Sequence, residues 1–335
     1  MIGDALRLHR YHSRKTGATR VAPGLSSLAR RSAGFLAVLP AAVGLILASA
    51  TSAHATQAQP PTDWSFYITT PNTTTAYNWG CSQGNFDRTH GNVDSENILD
   101  FGAQDSAGTK LVNGTYITKA QLEAVVEQWA RGYYVCTDGD TTSTNYLAIG
   151  TNNSIPSVLT TGYGQAWAHI VSDVQAWLSN NSIGQVVIRA ANDMEPAWAD
   201  HSLTGNWVAG YASINPAFYI NYGSADGCPS STANNGACAN GWHQTDVWWV
   251  SWYEPPALSA PEIYFRVQSQ QWTMIALYAA TYRGSYMRFQ GPLDEYDVNH
   301  STLTSTAAWN YFWSDLNSRS STAQNMLRSM EIHYE

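Results

Sequence analysis

The chain has 335 residues, with 17 Lys+Arg against 25 Asp+Glu, 14 Trp and four Cys. An acidic, Lys-poor balance argues against nucleic acid and anionic lipid as partners and suits neutral ligands. No P-loop, dinucleotide glycine motif, HExxH pair or nucleophile elbow occurs. Nucleotide, zinc-protease and serine-hydrolase chemistry therefore fall away, and nothing calls for a cofactor or a metal.

Residues 1–32 hold seven of the basic residues and one acid, Asp4. An apolar run from Ala33 to Ala48 follows, then Ala53-His54-Ala55. A basic region, an apolar core and an A-x-A site predict a secretory signal peptide over 1–55, so the mature protein is extracellular and free of the membrane. A retained anchor is the alternative, but the core is short for a span and Pro40 interrupts it. The mature part keeps 10 Lys+Arg against 24 Asp+Glu, all 14 Trp and all four Cys. An even Cys count in an exported chain predicts two disulfides. Cys228 and Cys238 flank a Pro/Ser/Asn/Gly loop and are paired here, which leaves Cys81 with Cys136.

Residues 56–63 read as a Pro/Gln linker, and 64–335 as one domain, expected to be a monomer. Residues 64–81 show little periodicity. A strand is predicted over 97–102, and a helix opens at Thr118 with a Gln121 capping box and a Leu122, Val125, Val126, Trp129 stripe. A second strand (145–150) and a second helix (Trp167, Ile170, Val171, Val174, Leu178) follow. The next strand runs from Gln185 to the Asp193-Met194-Glu195-Pro196 turn. Later strands are expected at 217–222, 246–252, 262–265 and 272–278, with helices at 305–318 and 321–331. Strand–helix alternation at this length predicts an α/β fold, a single irregular (β/α)8 TIM-like barrel.

Side chains alternate along a strand, so Asp193 and Glu195 share one face, at the strand end where barrel enzymes keep their chemistry. Arg189 lies on that face too and would neutralise the acids if they serve only as structure. Two neighbouring carboxyl groups repel, which raises the pKa of one, as an acid working at neutral pH requires. Trp198, Trp252, Trp272, Tyr222 and Asn221 stand at or near the expected strand ends. They are candidate sugar-binding residues, against the bland reading of core packing.

Asp100, the Asp193-Met-Glu195 pair, Val247-Trp-Trp-Val-Ser-Trp-Tyr253 and Gln271-Trp272 together resemble glycoside hydrolase family 25, the lysozyme-like barrels. They also resemble the related secreted actinobacterial glycoside-hydrolase-like barrels of unknown function. The resemblance implies cleavage of bacterial cell-wall glycan, with Glu195 as acid/base, Asp193 as its partner and Asp100 shaping the floor of the site. This chain has Phe-Gly after Asp100 and Gln-Trp in place of Trp-Gln. The leading expectation is a hydrolase acting on polysaccharide. The other is a non-catalytic barrel that binds glycan or a cell surface.

Overall fold

The computed structural model describes residues 57–91, 93–214, 217–254 and 257–334. The expected signal peptide lies outside the described residues. Eight parallel strands form one curled sheet, a half-barrel alternating with helices. In chain order the first strands and helices are β1 (Thr62–Tyr67), α1 (Thr73–Thr89) and β2 (Ser95–Gln104). A short antiparallel pair, β3 (Gly108–Lys110) and β4 (Tyr116–Thr118), extends the far end of β2. Then come α2 (Lys119–Cys136), β5 (Asn145–Asn152), α3 (Thr161–Asn180), β6 (Val186–Asp193), α4 (His201–Ile214) and β7 (Tyr219–Asn221). The last third holds α5 (Gln244–Trp248), β8 (Ala257–Ser259), α6 (Arg266–Tyr278), β9 (Leu293–Asp294), α7 (Ser305–Asn317) and β10 (Ser329–Tyr334).

The strands lie in the order β8-β7-β6-β5-β2-β1-β10-β9. Beyond β8, single parallel bridges join Ser259 to Phe289 and Glu262 to Leu293 of β9. Two layers of apolar side chains follow from strand alternation. The larger packs the helices onto the outer face of the sheet, with Leu99, Ile149 and Ala190 against Val126, Trp129, Trp167 and Trp207. The smaller fills the inside of the curl with Ile98, Ala148, Ala191, Ile220, Leu293, Met330 and Ile332.

Thr118 caps α2 through Gln121 N, with the Gln121 side chain answering, as the sequence predicts. Both disulfides form as paired above: Cys81–Cys136 ties α1 to the end of α2, and Cys228–Cys238 closes a ten-residue loop after β7. Among the described residues no helix is long and apolar enough to cross a membrane.

Several expectations for local structure need correction. β1 begins inside the expected linker, and Gln57 and Gln59 ahead of it already hydrogen-bond Met326 and Ser329. α1 is absent from the sequence reading because its buried face is Ala76, Gly80, Gln83, Gly84 and Asp87, small or polar at helical spacing. The stretch 246–252 is helical, not a strand. Asp246 accepts from His243 N to start α5, which runs on into a π-turn over Trp249–Tyr253. The stretch 272–278 belongs to α6, which is buried almost all round, so its 3.6-residue period disappears into a continuous apolar run. Residues 321–328 are loop, and 329–334 form β10 rather than the end of a helix. As β1 precedes it, Asp100 stands on the second strand of the sheet, not the first.

Trp272 illustrates the cost of the α6 misreading. It is fully buried, packs edge-on to Phe289 at 6.0 Å between ring centres, and has no surface to offer a sugar. Trp272→Phe is expected to cost about 1–2 kcal/mol in a denaturant melt, from lost core volume.

Candidate functional site

A group of carboxyl and phenol side chains gathers at the C-terminal ends of the parallel strands. Asp100 is on β2, Asp193 ends β6, Glu195 follows two residues later, and Glu262 lies three residues beyond β8. Oxygen atoms of Asp193, Glu195 and Glu262 all lie within 4.8 Å of one another. Asp226, in the loop after β7, stands close to Glu195, and Tyr264 stands close to Glu262.

The backbone carrying Asp193 and Glu195 is held by amides from its neighbours. Asn153, just past β5, accepts from Glu195 N at 3.0 Å and donates to Glu195 O at 3.1 Å. Asn221, at the end of β7, accepts from Met194 N at 3.3 Å and from Gly223 N at 3.1 Å, and donates to Ser251 Oγ at 2.7 Å. Gly223 is required there, because a Cβ would stand 2.5 Å from Met194 backbone atoms. Asn221 is thus fully buried and engaged in holding the turn. It supports the acid pair and is spent as a sugar-binding group.

Asp100 sits over a β-bulge. Its carboxylate accepts from Gly102 N at 2.7 Å, and Gly102 adopts φ +70° where a Cβ would strike Lys110 O. Tyr222 reaches across to Asp100 and donates to Thr151 O at 3.2 Å. Gly150 leaves room for that hydroxyl, since a Cβ there would meet it at 3.0 Å. Tyr222 is buried inside the curl.

Arg189 does not reach the acid pair. It bonds the buried Glu96 on β2 and lies over the Tyr146 ring. Arg189 lies mid-way along β6 and Glu96 near the start of β2, so Arg189 does not neutralise Asp193 or Glu195. Trp198 is 38% exposed in the turn directly after Glu195, where its own N–H donates to Glu195 O. Trp252 is half-buried among the outer helices and donates to Ser285 Oγ. Of the five expected sugar-binding residues, the structure brings Trp198 and Tyr222 to the acids.

Burial and mutual repulsion hold protons on this cluster. Glu195 is pushed from 4.5 up to about 8 by burial, then by the charge and hydrogen bond of Asp226, then by Glu295. Asp193 is raised well above the carboxylate range by burial, then by Glu262, Glu195 and Asp100. Glu262 is raised by burial, Glu195 and Glu295, and Asp100 reaches about 6 by burial against its two hydrogen bonds. The Asp193–Glu195–Glu262 trio is also the set an oxygen-loving divalent cation would use.

The sequence reading missed Glu262, Asp226 and Glu295. Glu262 carries a usable signal, an acid one residue past Pro261 at the end of an apolar strand. Asp226 has none, because the fold brings it in from a loop. That loop is fixed by Cys228–Cys238, by Ala239 N donating to Asp226 O at 2.8 Å, and by Gln271 Nε2 donating to Cys228 O at 3.0 Å. A separate cavity of about 280 Å³ opens on the outer face of β1 between Trp64, Phe66, Trp79 and Phe86. It holds no carboxyl group and lies away from this chemistry.

The raised carboxyl groups carry a stability consequence. Their folded pKa values exceed the unfolded ones, so between the two the native state holds protons the unfolded chain has released. Stability therefore falls as pH rises through roughly 5 to 8, and the melting temperature should drop by several degrees across that range. A melting temperature that climbs steadily from pH 5 to 8 would contradict the assignment.

The chain matches none of the family models compared with it and none of the curated proteins. What class of protein this is must be argued from the fold and the acid cluster.

Proposed function

We propose that the protein is a secreted glycoside hydrolase that cuts a polysaccharide such as cell-wall glycan, with Glu195 as the acid. The single observation that carries this is Glu195 itself. It is a half-buried carboxyl group at the strand ends, its pKa pushed up to about 8 by burial and then by Asp226, with an oxygen within 4.8 Å of two further carboxyl groups. The curled sheet closes, on this reading, into a (β/α)8 barrel. The bridges Ser259–Phe289 and Glu262–Leu293 and the bonds Leu293 N to Pro261 O and Ile263 N to Leu293 O support that closure. The disulfides suit an oxidising, extracellular site.

In the reaction, protonated Glu195 gives its proton to the glycosidic oxygen as the C1–O bond breaks. Three like groups this close cannot all ionise, so the trio keeps protons at neutral pH. On this reading Asp193 and Glu262 supply the oxygens that stabilise the positive charge growing on C1. Water then adds to C1 and returns its proton to Glu195.

The non-catalytic alternative needs the acids tied to Arg189, and Arg189 is tied to Glu96 instead. The test is release of reducing ends from a panel of polysaccharides that includes peptidoglycan, with the mature protein beside Glu195→Gln. Release by the parent and none by the variant supports the proposal. Equal release by both, or binding without release, overturns it.

A further inference from the structure

We infer that the acid cluster selects a sugar bearing a free amine, a 2-amino-2-deoxy residue whose ammonium group sits between Asp193, Glu262 and Glu195. The inference deepens the hydrolase reading and takes from it only that a sugar occupies the site.

Three observations converge. Oxygen atoms of the trio lie within 4.8 Å of one another. An alkylammonium group has three N–H donors arranged as a tripod, and charge-assisted bonds of about 2.8 Å set their three acceptors about 4.6 Å apart. Second, Asp193 is 4% exposed, and its Oδ1 is buried with no hydrogen-bond partner. A carboxyl oxygen in that position wants a donor, and a ligand is what can bring one. Third, the charged groups that act most on Asp193 and Glu262 are themselves carboxyl groups: Asp100, Glu195, Asp226 and Glu295. The missing positive charge is not supplied by Arg189, which is engaged by Glu96.

The amine is placed on C2 because of where the acid stands. Glu195 must meet the oxygen on C1, and Asp193 is two residues away on the same turn, so its carboxyl group faces the neighbouring carbon. An N-acetyl group offers one N–H and turns a carbonyl toward the carboxyl groups. A hydroxyl offers one donor and no charge. A free amine supplies three donors and lets Asp193 and Glu262 ionise, while Glu195 accepts through its carbonyl oxygen and keeps its proton.

The experiment is calorimetric titration of Glu195→Gln with three probes: a glucosamine pentamer, an N-acetylglucosamine pentamer and cellopentaose. Each is run with EDTA and with calcium chloride. We expect the glucosamine pentamer to bind about tenfold or more tightly than the others, a preference insensitive to EDTA and weakened by salt. Adding Asp193→Asn or, separately, Glu262→Gln should erase the preference, with circular dichroism confirming the fold of each. Equal or weaker binding of the amine oligomer overturns the inference, as does calcium binding at the trio with no preference among the sugars. Preferential binding alongside no reducing-end release by the parent would sink hydrolysis and leave this inference standing. Release from neutral glycans with no preference for the amine would do the reverse.

Discussion

Glu195→Gln should lower kcat for glycan hydrolysis by about 10³-fold or more, while leaving substrate binding within a few-fold of the parent. The glutamine keeps the shape and can still meet Asp226, but it has no proton to give the leaving oxygen. The backbone that carries it is held by Asn153 and by the Trp198 N–H, neither of which depends on the carboxyl group, so the variant should fold. Removing a half-buried carboxyl from an acid cluster should if anything raise the melting temperature at pH 8. A loss of activity accompanied by a lower melting temperature would point to a structural role instead. Initial rates and thermal melts on the same preparations separate the two.

Gly132→Ala should destabilise the protein by about 3 kcal/mol or more. The helices α1 and α2 cross at two facing glycines. A Cβ on Gly132 would stand 2.0 Å from Tyr77 O, and one on Gly80 would stand 1.9 Å from Trp129 O. Both obstacles are backbone, so neither can swing aside, and the Cys81–Cys136 bridge keeps the pair from parting freely. At roughly 2–4 °C per kcal/mol for a chain of this size, the melting temperature should fall by about 6–12 °C. Gly184→Ala is the control, exposed and with nothing within 4 Å of the added atom. If the two variants melt alike, the close crossing is wrong. The same device recurs between α3 and α4, where Gly164 and Gly210 face Trp207 O and Thr161 O.

Those glycine crossings explain much of what the sequence withholds. The strand β6, the strands β2 and β5 and the stripes of α2 and α3 are legible because Val, Ile, Leu and Trp mark their buried sides. α1 buries Gly, Ala and Gln, so a reading based on hydrophobicity passes over it and over β1 before it. In the last third the difficulty reverses. The Val-Trp-Trp-Val-Ser-Trp run and the α6 run are apolar throughout, and β propensity wins on paper where tertiary packing imposes helix. The alternation that places Asp193 and Glu195 together is a local property and survives in the structure. The company they keep is not local. Glu262 comes from beyond β8 and Asp226 from a disulfide loop, and only the curl of the sheet brings them to Glu195. Arg189 shows the limit of same-face reasoning. It shares a face with Asp193, yet lies four residues back along the strand with its own partner, Glu96.

The central claim is that Glu195 stays protonated at neutral pH because burial and Asp226 oppose its ionisation. Carbon-13 NMR of the side-chain carboxyl groups, followed from pH 3 to 10 in the parent and in Asp226→Asn, tests it without any substrate. The account predicts a Glu195 resonance that titrates near pH 8 in the parent and moves toward the ordinary carboxylate range in the variant. A Glu195 that titrates near 4.5 in both would contradict it.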